Sequence, residues 1–278
     1  SYTYRDKEIP SRMEALMKTY AVANQKGGVG KTTTAATLAT IWAKKGRRVL
    51  AVDMDPQGNL GLMLGVMYSP GRPTIYNVLT RQDERREVAD VVMAAADGVD
   101  LLPATTELTN LELEGGADML TRLRMALDEL RSEYDICVID CPPSQGVFVQ
   151  QALFAADEVI VPTNADLCSV AGLAQLRKTI GMVKTPYMNP SLEVAGIVVT
   201  RLNRKDPTEV AMVSDIEGQA AKLGWRLFSS VINHSEPVQK ARNEMKTVVA
   251  EKANPAWAAA LGTKAYLALA DEIEGQVG

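Results

Sequence analysis

A run of glycines flanked by lysines and threonines, near the start of the chain, has the composition of a phosphate-binding loop. Residues 25–34 read Gln-Lys-Gly-Gly-Val-Gly-Lys-Thr-Thr-Thr. The second half of this run matches the Gly-Lys-Ser/Thr end of the P-loop pattern, whereas Gln25 occupies the place of the first glycine. Glycines let backbone N–H groups turn toward phosphate oxygens, Lys31 adds positive charge, and the Thr32 hydroxyl can bind Mg²⁺. The segment therefore predicts a nucleotide site.

The elements on either side of this loop are those that such a site requires. Residues 19–24 read as a short apolar strand, and residues 31–45 read as an amphipathic helix. The helix would direct the positive end of its dipole at the phosphates. A plain flexible glycine loop would leave the Lys-Thr pair at the helix start unexplained, so nucleotide binding is the favoured interpretation.

Short β-branched runs alternate with helical stretches along the rest of the chain. The strand-like runs lie at 48–52, 136–139, 158–161 and 194–199, and helical stretches include 120–133, 170–183 and 207–223. This alternation predicts a doubly wound α/β fold, with a mostly parallel sheet and helices on both faces. Ligands of such sheets bind beyond the carboxyl ends of the strands, where Asn24, Asp53 and Asp140 fall. No Pro/Gly/Ser-rich linker divides the 278 residues, so we expect one domain over 19–278 and a flexible extension over 1–18.

Three blocks of the sequence resemble one known family. Residues 26–33 resemble the deviant Walker A box of the ParA/MinD family of P-loop ATPases, in which a signature lysine precedes the glycines. Asp-Met-Asp-Pro-Gln-Gly-Asn at 53–59 resembles the family's switch I, and Cys-Val-Ile-Asp-Cys-Pro-Pro-Ser at 137–144 resembles its Walker B and switch II. The resemblance runs from about residue 19 to the C-terminal helix. It is greatest to the ParA branch, the ATPases that partition plasmids and chromosomes.

The resemblance implies three catalytic residues. Lys26, the signature lysine, would reach the phosphates of the partner in an ATP-bound homodimer. Lys31 would bind the phosphates of its own subunit, and Asp55 would orient the attacking water. The sequence leaves open whether Asp53 or Asp55 faces the γ-phosphate, because two carboxylates separated by one residue lie on opposite faces of an extended chain.

ATP and Mg²⁺ are the expected cofactors. The nucleotide is expected to bind Gly27, Gly28, Val29, Gly30, Lys31, Thr32 and Thr33 of the loop, and Asn203 and Pro237 at the adenine. Asp140 follows four apolar residues, as the Walker B carboxylate that helps to hold Mg²⁺ does. The resemblance places Asp53 close to the metal as well, so the expected metal set is Thr32, Asp53 and Asp140. The alternatives are a strand-end cap for Asp140 and plain loop chemistry for the adenine contacts.

Basic residues gather in two places, although the net charge is −4. The first group is Arg201, Arg204 and Lys205, and the second is Lys240, Arg242 and Lys246. In ParA-type proteins, basic residues after the position of Pro237 bind DNA without sequence specificity, and a dimer joins two such patches. An ordinary solvated surface is the alternative. The DNA interpretation implies binding that depends on ATP and weakens with salt.

Together these observations predict an ATPase of weak basal activity that forms a homodimer with ATP and binds non-specific DNA. A ParB-like centromere-binding partner would stimulate hydrolysis, and the cargo would be a plasmid or a chromosome. Two alternatives stay open: a ParA-like ATPase that positions another cargo, and a metabolic enzyme that uses ATP to activate a small substrate. A scaffold without hydrolysis is opposed by the intact Asp55.

No sequence feature indicates a membrane or a cysteine-bound metal. No apolar run approaches the roughly 18 residues of a spanning helix, and the predicted last helix, at 256–274, has three acidic residues against one lysine. Four apolar residues of that helix are expected to pack on the sheet: Trp257, Leu261, Tyr266 and Leu269. The three cysteines lack Cys-x-x-Cys spacing. We expect a cytoplasmic, nucleoid-associated protein without a membrane partner.

Overall fold

The apolar runs form a sheet in the part of the chain that the computed structural model describes, residues 17–67, 69–250 and 261–275. The strands are β1 (Lys18–Val22), β2 (Val49–Asp53), β3 (Met93–Ala94), β4 (Val99–Leu102), β5 (Ile136–Asp140), β6 (Glu158–Asn164), β7 (Glu193–Leu202) and β8 (Ile232–Asn233). Their order is β3-β4-β2-β5-β1-β6-β7-β8, and each of these pairings is parallel except that of β3 with β4. The predicted mostly parallel sheet in a single domain is confirmed.

Helices cover both faces of this sheet. In the described residues they are α1 (Lys31–Lys44), α2 (Asn59–Met63), α3 (Ile75–Leu79), α4 (Val88–Val91), α5 (Asn110–Glu114), α6 (Arg122–Glu129), α7 (Val147–Ala155), α8 (Leu167–Val183), α9 (Pro207–Leu223), α10 (Glu236–Asn243) and α11 (Leu261–Glu274). Short 3₁₀ turns lie at Ala96–Gly98, Thr106–Thr109 and Met119–Thr121.

Two hydrophobic layers explain why the central strands are continuous apolar runs. One layer holds side chains of α6, α7, α8 and α9, including Leu123 and Phe148. The other holds side chains of α1 and α11, including Trp42, whose ring stacks on Tyr20 of β1. Every residue of β2 and of β5 is buried. A strand covered on both faces needs apolar side chains on both, which is the pattern of a buried parallel sheet.

The register of the central strands brings two acidic residues together. Asp53 at the end of β2 lies opposite Asp140 at the end of β5, and Val22 at the end of β1 pairs with Asp140 on the other side. β1 lies between β5 and β6, where successive connections turn to opposite edges of the sheet. This is the position at which doubly wound sheets bind their ligands.

The N-terminal boundary lies slightly earlier than the sequence predicts. Met17 is buried in the core and Lys18 begins β1, so both belong to the domain and not to the extension. Lys18 pairs with Ile136 of β5, which extends the sheet to this residue. Residues 1–16, the rest of the predicted extension, lie outside the described residues.

The C-terminal helix packs on the domain as expected. Tyr266 and Leu269 are fully buried, whereas Trp257 lies outside the described residues. The acidic residues of α11 also hold it in place, because Asp271 and Glu274 are paired with Lys45 at the end of α1. In the described ranges, no helix is both long and apolar enough to cross a membrane.

A buried asparagine closes the end of α7. The Asn189 side-chain amide nitrogen lies 3.0 Å from the carbonyl oxygen of Leu153, 3.1 Å from that of Phe154 and 2.7 Å from that of Ala156. The last carbonyls of a helix have no partner within the helix, and a buried carbonyl without a donor is costly. Asn189 therefore ties the turn before β7 to the turn before β6.

We predict that Asn189→Leu lowers the free energy of unfolding by about 1–3 kcal/mol, since it leaves buried carbonyls without donors. Urea denaturation measures this loss. Asn110→Ala, at an exposed position on α5, is the control and should stay within about 0.5 kcal/mol of the parent. Equal losses in the two variants would contradict the proposed role of Asn189.

Candidate active site

A cavity of about 600 Å³ opens at the carboxyl edge of the sheet, above β1 and β5. One wall is the loop between β1 and α1, through Gly28, Gly30, Lys31, Thr32 and Thr33. A second wall is the segment after β2, through Asp55, Gln57 and Asn59. The third is formed after β7 and β8, by Thr200, Arg201, Asn233, His234, Ser235 and Val238. Pro143, from the segment after β5, also lines the cavity, so residues from all three of the blocks 26–33, 53–59 and 137–144 border it.

The backbone of the glycine loop is shaped to present N–H groups. Gly28 and Gly30 have φ of 75° and 84°, values that residues with a side chain rarely adopt. Gly30 precedes α1 without a side-chain cap, so the first turn of the helix keeps its donors open. In the described chain, the N–H groups of residues 27–33 have no protein acceptor. Such a row of free donors at a helix N-terminus binds phosphate.

Lys31 lies inside the cavity with its charge almost unsolvated. It is 6% exposed, and its Nζ donates to the Lys26 carbonyl at 3.1 Å. Burial lowers the pKa of Lys31, and Asp140 and Asp55 oppose that shift. A buried ammonium group with a single carbonyl acceptor has donors to spare for phosphate oxygens.

Asp140 is a buried carboxylate whose oxygens have no hydrogen-bond partner in the described residues. Burial raises its pKa to about 7, and the nearby Thr32 hydroxyl and Lys31 partly offset that shift. An unpaired buried charge is costly unless a cation accompanies it. With the Thr32 hydroxyl beside it, Asp140 fits the oxygen-ligand chemistry that Mg²⁺ prefers.

Asp53 and Asp55 have different surroundings, which the sequence left open. Asp53 is fully buried, and its oxygens accept the N–H groups of Asp55 and Leu60, each at 3.0 Å. Burial and the neighbouring Asp140 both raise the pKa of Asp53. Asp55 instead lines the cavity. Asp55 is therefore the carboxylate that faces the site, while Asp53 fixes the segment that carries it. Metal binding by Asp53 stays a prediction.

The signature lysine is held inside its own subunit. The Lys26 ammonium is paired with Asp166, and it lies 3.5 Å from the Ser169 hydroxyl. Asp166 also caps α8, since its side chain accepts the Ser169 N–H at 3.0 Å. The cap explains why α8 begins at Leu167, three residues before the predicted start. Sequence reasoning missed Asp166, although Asp directly before an apolar helical stretch is typical of a helix N-cap.

The predicted adenine contacts lie outside the lining of the cavity. The Asn203 side-chain oxygen accepts the Lys205 N–H at 3.1 Å, which closes a turn. Pro237 is partly buried at the start of α10, and its neighbours Ser235 and Val238 line the cavity instead. Adenine binding by Asn203 and Pro237 therefore stays a prediction.

The six predicted DNA contacts fall into different environments. Arg201 lines the cavity, where its Nη1 donates to the Gly28 carbonyl at 3.0 Å. Arg204 and Lys205 are exposed, and Arg204 donates to the Asn233 side chain at 2.8 Å. The remaining three lie in or after α10: Lys240, Arg242 and Lys246.

Two of these three are already paired with acidic neighbours. Lys240 lies 2.6 Å from Glu236, and Lys246 lies 3.4 Å from Glu244. The side chain of Arg242 lies outside the described part of the structure. The pairs reduce the positive charge that α10 and the turn after it offer to a phosphate backbone.

Comparison with known proteins gives a consistent picture. A family model described as an AAA domain matches residues 17–194. The chain is 38% identical to the chromosome partitioning protein ParA of Caulobacter vibrioides, over 92% of this chain and 94% of that protein. It is 31% identical to the sporulation initiation inhibitor protein Soj of Bacillus subtilis, over 92% of this chain and 98% of that protein. Among solved structures, a cobyrinic acid a,c-diamide synthase from Mycobacterium smegmatis with bound ADP and magnesium superposes with a TM-score of 0.76. The two chains are 30% identical, and the match covers 92% of this chain and 93% of that one.

We predict that Asp140→Asn stabilises the protein in the absence of nucleotide and metal, and that the gain grows with pH. The pKa of Asp140 is about 7 in the folded protein, above the value of about 3.9 expected when unfolded. Its ionisation therefore costs stability progressively as pH rises from about 4 to 7. Urea denaturation in EDTA should show the advantage of the variant increasing by about 1 kcal/mol or more between pH 5 and pH 8.

The amide variant has nearly the same shape and carries no charge, so packing cannot account for a pH-dependent gain. A difference from the parent that is constant from pH 5 to pH 8 would contradict the buried, unpaired state of Asp140.

Proposed function

The chain belongs to the ParA/MinD family of P-loop ATPases, and we propose that it uses Mg·ATP binding and hydrolysis to partition DNA. The observation that carries this proposal is the combination of a free row of loop N–H groups, the buried Lys31 and the unpaired Asp140 around one cavity. The name of the relative in Caulobacter vibrioides, a chromosome partitioning protein, supports a partition ATPase in particular.

In the proposed reaction, water attacks the terminal phosphate of ATP, the bond between that phosphate and ADP breaks, and ADP and inorganic phosphate are released. The loop N–H groups and Lys31 bind the phosphates, and Asp55, which also lines the cavity, accepts a hydrogen bond from the attacking water and orients it. Thr32 and Asp140 would hold Mg²⁺, which when bound neutralises charge between the outer phosphates. The residues of the chain thus act by positioning and electrostatics.

Completion of the site requires a second subunit in this proposal. Lys26 lies beside the glycine loop, and its partner Asp166 has a half-exposed side chain. Release from Asp166 would let Lys26 reach the phosphates bound by a partner subunit. A cation supplied in trans is worth about 10³–10⁵ in the rate of related NTPases. ATP, which the lysine contacts, would therefore favour the homodimer.

DNA binding is proposed for the exposed basic residues, Arg204 and Lys205 first. They lie on the turn after β7, outside the cavity lining. One such patch on a protein of net charge −4 is weak, whereas a dimer doubles the phosphate contacts. Each added contact steepens the salt dependence, so we expect retention on DNA to require ATP and to fall with ionic strength. A ParB-like partner that stimulates hydrolysis would release the DNA.

Substitution of the two loop lysines tests this cycle. We predict that Lys31→Ala abolishes ATP binding, because it removes the buried phosphate ligand. Lys26→Ala should bind ATP but fail to dimerise or to be retained on DNA, and partner-stimulated hydrolysis should fall by about 10³. Nucleotide titration, light scattering and a DNA-retention assay with ATP measure these effects.

Lys178→Ala, at an exposed position on α8, is the matched control and should behave as the parent in all three assays. ATP-dependent DNA retention by Lys26→Ala at the parent level would refute the role of a trans lysine.

A second candidate function is favoured by the solved relative whose name is that of a diamide synthase. A synthetase would bind a small substrate beside the terminal phosphate and consume ATP steadily, at roughly 1–100 s⁻¹ if it resembles kinases. We predict slow ATP turnover for the purified protein, with stimulation by DNA and a ParB-like partner. Fast turnover that depends on a small carboxylic acid, and not on DNA, would favour the synthetase.

A further inference from the structure

The end of β7 departs from regular strand geometry at one residue. The pairing of β7 with β8 shifts register between Thr200 and Leu202, and Arg201 between them has φ of 57°. A left-handed conformation at a residue with a side chain is uncommon and costs about 1 kcal/mol or more. Such bulges redirect side chains and are frequent beside functional sites. Here Arg201, which is exposed to solvent, also lines the cavity.

Thr200 and Arg201 hold two successive carbonyls of the glycine loop. Arg201 Nη1 donates to the Gly28 oxygen at 3.0 Å, and the Thr200 hydroxyl lies 2.8 Å from the Val29 oxygen. Thr200 is 2% exposed and also lies 3.2 Å from the Thr163 carbonyl of β6. The loop is therefore anchored to the rigid sheet through its carbonyls.

Because the peptide bond is planar, fixing the direction of a loop carbonyl also fixes the direction of the next N–H group. In a trans peptide the C=O of one residue and the N–H of the next point in opposite directions. With the Gly28 and Val29 carbonyls directed at β7, the N–H groups of Val29 and Gly30 must point away from it. Neither N–H has a protein acceptor in the described chain, so both are left for phosphate oxygens.

We propose that Thr200 and Arg201 are positioning residues of the nucleotide site, which preset the N–H groups of the glycine loop for phosphate. Arg201 thereby belongs to the nucleotide site and not to the DNA surface. The inference rests on the proposed binding of Mg·ATP. It assigns to β7 a part in phosphate binding that the loop sequence alone does not reveal.

The test measures the dissociation constant of Mg·ADP for the full chain by calorimetry. Arg201→Ala and Thr200→Val should each raise it about tenfold, the effect of one lost hydrogen bond of about 1.4 kcal/mol. Thr200→Ser, which retains the hydroxyl, and Arg201→Lys, which can donate to one carbonyl, should recover most of the affinity. Lys178→Ala, at an exposed position on α8, should leave the constant unchanged.

A glycine variant separates the side chain from the strained backbone. Arg201→Gly accepts φ of 57° more readily than the parent, so its melting temperature without nucleotide should not fall. It should nevertheless bind Mg·ADP about tenfold more weakly, because the donor to Gly28 is gone.

The outcomes distinguish this inference from the function on which it rests. Parent-like Mg·ADP affinity in Arg201→Gly and Thr200→Val would overturn the inference while leaving the ATPase proposal intact. Loss of DNA retention in Arg201→Gly at saturating ATP, with nucleotide affinity unchanged, would return Arg201 to the DNA surface and overturn it too. A parent protein that does not bind Mg·ADP would refute the proposed function itself.

Discussion

Burial of like charges at the carboxyl edge of the sheet is the constraint on which the site depends. Asp53 and Asp140 lie opposite each other with no solvent exposure, and Lys31 is nearly as buried. Asp53 accepts two backbone N–H groups, whereas the Asp140 oxygens accept no hydrogen bond of normal geometry in the described structure and have the nearby Thr32 hydroxyl and Lys31 to offset part of their burial. The fold thus stabilises one carboxylate internally and leaves the other for a ligand. Strained or unsatisfied groups of this kind mark the places where stability is given up for function.

Side-chain hydrogen bonds explain why Gln25 stands where the P-loop pattern has its first glycine. Gln25 replaces the first glycine, and its amide nitrogen donates to the Thr179 hydroxyl of α8 at 2.9 Å. Its oxygen accepts from Gln145 at 2.8 Å, and Gln145 accepts from Gln175 of α8 at 3.0 Å. A glycine at 25 could make none of these bonds. The loop, the segment after β5 and α8 are consequently joined around the phosphate site.

Local patterns made the loop and the central strands predictable, whereas contacts between distant segments could not be predicted from the sequence. The Gly-Lys-Thr run and the buried runs of β2 and β5 each carry their signal within a few residues. The pairing of Lys26 with Asp166 joins residues far apart in the chain, and the bulge at Arg201 depends on how β7 meets β8. No window of sequence contains either fact. The ion pair between Lys240 and Glu236 is an exception that the sequence does indicate, because Glu236 precedes Lys240 by four residues on a helix.

Under the proposed function, competition between Asp166 and phosphate for Lys26 would make the site respond to ATP. In the single subunit, the lysine is paired with the half-exposed Asp166, and such pairs contribute only about 0–1 kcal/mol. A triphosphate carries several negative charges, and in a closed interface it would meet the lysine with little water between them, where charge interactions are much stronger. Under the proposed function, exchange of Asp166 for phosphate would be favoured when a nucleotide and a second subunit are both present. A weak internal pair keeps the lysine positioned without making its release costly.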